Sequence, residues 1–127
     1  MEFAKALYDA GRWAEADSLF QQLAIDDRDG TAYHEGMLGA IAAHRGDASM
    51  ANRYMAILQQ RRLSVTRPRE DAIFGQARIM AVLGNGPESV RLLREALGGQ
   101  GQDLHTDADF TTLASDPAFR LFVKPKG

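Results

Sequence analysis

The sequence predicts an all-α domain: an α-α array of three helix hairpins closed by one or two short helices. Three observations carry this expectation. Apolar residues recur at spacings of three and four, the period of an amphipathic helix. Strand signals are nearly absent, and Asn85-Gly86 is flanked by helical patterns rather than by two β-branched runs. Glycine-bearing breaks then cut the helical pattern at comparable intervals.

The elements follow in order. Residues 2–10 carry Phe3, Leu7 and Tyr8, and residues 13–24 carry Trp13, Ala16, Leu19, Phe20 and Leu23. Further helices are expected at about 31–45, 48–62, 69–83 and 87–97. Breaks fall at Gly11, at Asp26 to Gly30, at Gly46-Asp47, at Val65 to Pro68, at Gly84 to Pro87 and at Gly98 to Gly101. Glycine just past a helix closes it in the left-handed conformation. Pro87 suits a first helical turn, where its missing N–H has no partner to lose. In the last quarter Thr106 or Asp107 caps one short helix, and Asp116-Pro117 supplies the N-cap and first residue of another. Phe110, Leu113, Phe119 and Phe122 form an apolar set whose use is to pack on the last hairpin.

Composition bounds the function. The 127 residues and 13.9 kDa make one domain, with hydrophobic residues at 45% and charged residues at 25%, close to globular averages. A net charge of −2 gives no electrostatic reason to expect nucleic acid or an anionic membrane as partner. The absence of cysteine excludes disulfides, thiolate zinc sites and cysteine nucleophiles. Met1 to Ala6 lacks the basic and apolar regions of a signal peptide, and no apolar run approaches a membrane span, so a cytoplasmic location is expected. The helical pattern is already running at residue 2 without a cap, as in a domain cut from a longer protein.

Short helix pairs call for a search for internal repetition. Gly11, Gly46 and Gly84 stand 35 and 38 residues apart. Five residues after each come Ala16, Ala51 and Ser89; nine after come Phe20, Met55 and Leu93; twelve after come Leu23, Leu58 and Ala96. A small residue at the first offset lets the two helices of a hairpin approach, and the large one a turn later fills the space between neighbouring hairpins. One pair cannot bury its apolar face alone, but stacked pairs can. On these residues, roughly 2–100, the sequence resembles the tetratricopeptide repeat family. Gly11, Trp13, Ala16 and Phe20 match its pattern in the first unit, and Leu38-Gly39, Gly46 and Ala51 in the second. Gly84 and Ala96-Leu97 match in a third that departs at Gly86 and Ser89.

The resemblance implies an α-α superhelix with repeats at about 1–30, 31–68 and 69–101 and a capping segment at 102–127. It implies a concave groove lined by the first helix of each pair and binding a peptide or partner domain. Carried over position by position, that groove takes Lys5, Tyr8 and Asp9, then Tyr33, Gly36, Met37, Ala40 and His44, then Asp71, Phe74 and Arg78. Leu38, Gly39 and Ala42 are expected to face the paired helix, and Gly36 and Ala40 the groove. The two-carboxylate clamp of the family's chaperone adaptors is missing, because Gly36, Met37, Asp71 and Gly75 occupy its positions. The closing Asp116-Pro117-Ala118-Phe119 segment is similar to those that follow repeats in bacterial multidomain proteins, which implies a larger bacterial regulatory or signalling parent.

Catalytic chemistry finds little support. Gly98-Gly99-Gln100-Gly101 lacks the lysine and preceding strand of a phosphate loop. His34 and His44 lie ten apart, about 280° round a helix, and cannot share a metal ion. No serine has a paired His and Asp that spacing can bring together. A rival enzyme reading gathers His105, Asp107 and Asp109 in a cleft, but these residues are expected to cap helices. Arg61, Arg62, Arg67 and Arg69 are read as a solvated helix end rather than a phosphate patch, since no aromatic lies between them. The expectation is a non-enzymatic module with no metal or cofactor. Its partner is another protein, a peptide or a neighbouring domain of the same polypeptide; the alternative is self-association, with the first unit stacking on a second copy.

Overall fold

The computed structural model describes residues 2–27, 30–63, 69–97 and 107–111. Among these every element is helical: α1 (Glu2–Asp9), α2 (Trp13–Asp26), α3 (Thr31–His44), α4 (Ala48–Arg62), α5 (Arg69–Val82), α6 (Gly86–Leu97) and α7 (Ala108–Thr111). None is long and apolar enough to cross a membrane. His105, Arg67, the Gly98 to Gly101 break and the expected helix at Asp116-Pro117 lie outside the described residues, as do Leu113, Phe119 and Phe122.

Three turns of one design join α1 to α2, α3 to α4 and α5 to α6. Gly11, Gly46 and Gly84 hold φ of 74°, 79° and 89°, a region that side chains with a Cβ rarely enter. In each turn the glycine N–H donates three residues back, Gly11 to Tyr8, Gly46 to Ala43 and Gly84 to Ala81. The next N–H donates five back, Arg12 to Leu7, Asp47 to Ala42 and Asn85 to Met80, at 2.8–2.9 Å. This double closure satisfies the last free carbonyls of the incoming helix. Asp47 and Asn85 then cap the outgoing helices by accepting from the N–H of Met50 and Glu88, whereas Arg12 offers no side-chain cap.

Packing is sequential. α1 lies on α2, α2 on α3, α3 on both α4 and α5, α4 on α5, and α5 on α6 and α7. The residues five after each turn glycine, Ala16, Ala51 and Ser89, are all fully buried. The Ser89 hydroxyl donates to the carbonyl of Ala77, 2.8 Å away, so a polar atom at this contact is satisfied. Of the residues nine after the glycines, Phe20 and Leu93 are fully buried and Met55 is half-buried, while Leu58, twelve after Gly46, is fully buried; each full burial contributes roughly 1.5–3 kcal/mol.

Helices α3 and α5 are buried along most of their length, and their glycines explain how. A Cβ on Gly36 would stand 2.7 Å from Cα of Gly75, and one on Gly75 would stand 2.9 Å from Cα of Gly36. The two backbones therefore touch. A Cβ on Gly39 would meet Ile79 of α5 and Tyr54 of α4 at 2.3 and 2.8 Å. Ala40, expected to face the groove, instead joins Leu38 in a core cluster with Ala4, Leu7, Tyr8, Ala16 and Phe20, against which Tyr54 of α4 also packs, while Gly36 meets Gly75 at the α3–α5 crossing. Ala42 does pack with Ala51 of α4.

Candidate functional site

α1, α3 and α5 share one face, and hydrogen-bond donors on it converge on a single carboxylate. Tyr8 closes the last turn of α1, His44 is the last residue of α3, and Arg78 lies in the second half of α5. α7 lays Asp109 between them. The Tyr8 hydroxyl donates to Asp109 Oδ2, as does Arg78 Nη1 at 2.6 Å, and His44 Nε2 lies 2.7 Å from Oδ1. An ionised carboxylate only accepts, so His44 presents its Nε2–H to it. The same Nη1 is shared with Asp107, which the guanidinium grips through two bonds, Nη1 to Oδ1 at 3.1 Å and Nη2 to Oδ2 at 2.9 Å.

Aromatic rings build the walls. Trp13 stacks flat on the His44 ring, with centroids 4.4 Å apart, and Tyr8 meets both rings edge-on. The Arg78 guanidinium lies over Phe74 and Phe110, 5.5 and 5.2 Å from their centroids. Phe110 is fully buried with Ile73, Ala77 and Leu93 and stands edge-on to Phe74.

Tyr8, Arg78 and Asp109 are each only 4% exposed, and burial shapes their titration. Burial pushes the Asp109 carboxyl up, but the hydrogen bonds from His44 and Tyr8 and the charge of Arg78 outweigh it and hold the group down at about 2. The Tyr8 hydroxyl is driven well above its ordinary value, first by burial and then by the negative charge of Asp109. Burial opposes the charge on Arg78, yet Asp107 and Asp109 keep the guanidinium more firmly protonated than usual.

Of the expected groove residues, Tyr8, Met37 and Arg78 are withdrawn from solvent. α7 covers Tyr8 and Arg78, and Met37 is buried against the first hairpin. Of the other expected groove residues, Lys5 and Asp9 pair with each other at 2.7 Å on the rim, and Asp71 is exposed. Tyr33 and Phe74 are half-buried and, with Gly36, Met37, Asp71, Gly75 and Arg78, line a cleft of about 20 Å³. Asp107 does act as a cap, accepting from the N–H of Asp109, but Asp109 does not: its side chain belongs to the shared face. Sequence reasoning placed Tyr8, His44 and Arg78 on one face and missed the acceptor. The signal available was a face carrying three donors opposite a tail carrying two aspartates and a phenylalanine.

Of the other described polar candidates, His34 is buried with Nε2 3.1 Å from Asp27 and with Nδ1 lacking a hydrogen-bond partner. Arg61 grips Glu35 with two bonds of 2.9 and 3.0 Å, and Arg62 holds Gln76 and Glu95. Arg69 lies 3.7 Å from the same Glu95, so each of the three described arginines of this group has a carboxylate within reach. Among the described residues no group of three or more histidines and carboxylates could hold a metal ion. Compared with known proteins, the chain matches no protein-family model, no curated protein and no solved structure significantly.

Proposed function

We propose that the chain is a non-enzymatic protein-interaction module of the tetratricopeptide-repeat type, in which three hairpins stack as an α-α superhelix. On this reading the face shared by α1, α3 and α5 is its peptide-binding groove. One observation carries the proposal: that face already holds a short peptide segment, residues 107–110, by side-chain contacts to all three helices. The three like-built turns and the buried small residue five positions after each support the repeat. The enzyme reading is disfavoured because Asp109, held at about 2 and surrounded by donors, is poorly matched to proton transfer near neutral pH. The parent proposed for the module is a bacterial regulatory or signalling protein, from the similarity of its closing segment.

The test is selection from a random peptide library on the full chain, followed by binding measurements on the enriched peptides. The expected result is affinity that falls at least tenfold with Tyr33→Ala or Phe74→Ala and is unchanged with Ile57→Ala on exposed α4. Enriched peptides indifferent to both groove substitutions would count against the groove.

A second reading, self-association, is favoured by a separate feature. An open, mostly apolar cleft of about 550 Å³ between α1 and α2 is lined by Phe3, Leu7, Ala14 and Leu19, and Phe3 is 68% exposed. Light scattering of the chain and of Phe3→Glu tests it: a dimer that the substitution converts to a monomer is the expected outcome on this reading.

A further inference from the structure

The seat of α7 has the properties of a receptor that reads a short linear motif. The three groups around the two carboxylates, each from a different helix, include a full cation that serves both. A neutral amide in place of Asp109 would turn an N–H toward at least one of these donors. Two positions separated by a single residue are read, because Arg78 Nη1 donates to both Asp109 and Asp107 while Nη2 donates to Asp107 alone. The next residue is read as well: Phe110 fills an apolar seat between α5 and α6 and stacks against the same guanidinium. The helices that carry these groups are set by contacts that do not involve α7, chief among them the Gly36–Gly75 crossing, so the site is pre-organised.

We propose that this face is a receptor for an acidic–aromatic peptide. The motif is two aspartates separated by one residue and followed directly by a bulky aromatic. Residues 107–110 are its resident occupant, competing in cis with the matching segment of a partner protein. The proposal rests on the interaction-module reading above and names the ligand chemistry for the same face. A tethered occupant acts at an effective concentration of about millimolar, so the partner's segment binds strongly only when the resident one is weakened or displaced.

The experiment uses the full chain with Asp107→Ser, Asp109→Asn and Phe110→Ala, which empties the seat, and a blocked peptide spanning residues 105–112 of this sequence. Binding is read by anisotropy of a labelled peptide and by the fluorescence of Trp13, the single tryptophan, which stacks on His44 inside the site. The expected result is saturable binding to the emptied chain at least tenfold tighter than to the unmodified chain, and at least tenfold weaker binding of a peptide with Asn in place of Asp109. A folded, emptied chain that fails to bind the peptide, or binds the Asn version equally well, overturns the proposal. If the triple variant does not fold, Phe110→Ala alone replaces it. It keeps both carboxylates, and no gain in peptide affinity over the unmodified chain is again a refutation. Library selection on the emptied chain separates the two levels. Non-acidic peptides that bind through Tyr33 and Phe74 sink the ligand assignment and leave the interaction module standing, whereas no selectable peptide at all sinks both.

Discussion

Arg78 and Arg91 each hold two carboxylates, one set withdrawn from water and the other standing in it. The Arg78 side chain is 5% exposed and faces Asp107 and Asp109 from a different part of the chain. The Arg91 side chain is 60% exposed and reaches Glu88 and Glu95 one turn to either side on α6. The second set costs little to form, because the helix already brings the partners together, and is worth correspondingly little. In the first set Arg78 and Asp109 give up their hydration and recover it only through hydrogen bonding, so neither can be removed cheaply, while Asp107 stays partly in water. Similar residues thus lock α7 in one place and merely decorate α6 in the other.

The sharpest way to break this contrast is Arg78→Met. It leaves Asp109 buried without its cation and is expected to lower the unfolding free energy by about 3–5 kcal/mol at neutral pH. Denaturant unfolding followed at Trp13 measures it, and a loss below about 1 kcal/mol would erase the difference between the two arginines. Acid comes next. The folded Asp109 carboxyl is depressed from its ordinary 3.8 to about 2, so its stabilisation is fully present above pH 4 and is lost as pH falls from about 4 to about 2. At about 1.4 kcal/mol per unit this amounts to roughly 2 kcal/mol. In Asp109→Asn that part of the acid slope should vanish, and an unchanged slope would assign it to other groups.

Intermediate behaviour is expected of Glu35, which is nearly buried while its partner Arg61 is half-exposed. Glu35→Gln should cost about 1 kcal/mol in thermal or denaturant unfolding. Smallest of all is Arg91→Ala, expected within about 0.5 kcal/mol of the parent. Half-molar salt should abolish even that difference while leaving the Arg78→Met loss largely intact, and the same denaturation series in two salt concentrations reads both.

The helices were legible because their signals are local. Gly11, Gly46 and Gly84 punctuate a 3.6-residue period, and the chain turns at each of them as expected; α2 runs on to Asp26 because nothing before it stops the helix. The small residues of α3 were legible as a mark of close packing, though not which neighbour they approach, since Gly36 finds its partner 39 positions away in Gly75. The seat of Asp109 was not legible as such. Its contacts span 101 positions to Tyr8, 65 to His44 and 31 to Arg78, and none leaves a periodic trace. An aspartate next to a short helix looks like a cap from the sequence, because capping is a neighbour effect and burial is not.

The bare crossing of α3 and α5 acts as a gauge for recognition at a distance. Imidazole and guanidinium sit eight residues beyond Gly36 and three beyond Gly75, so their separation is fixed where two backbones meet with nothing between them to trim. Alanine at residue 75 would prise the helices apart without touching any ligand. The widened jaw would suit a longer acid, and the ratio of affinities for glutamate- and aspartate-bearing peptides would report the change.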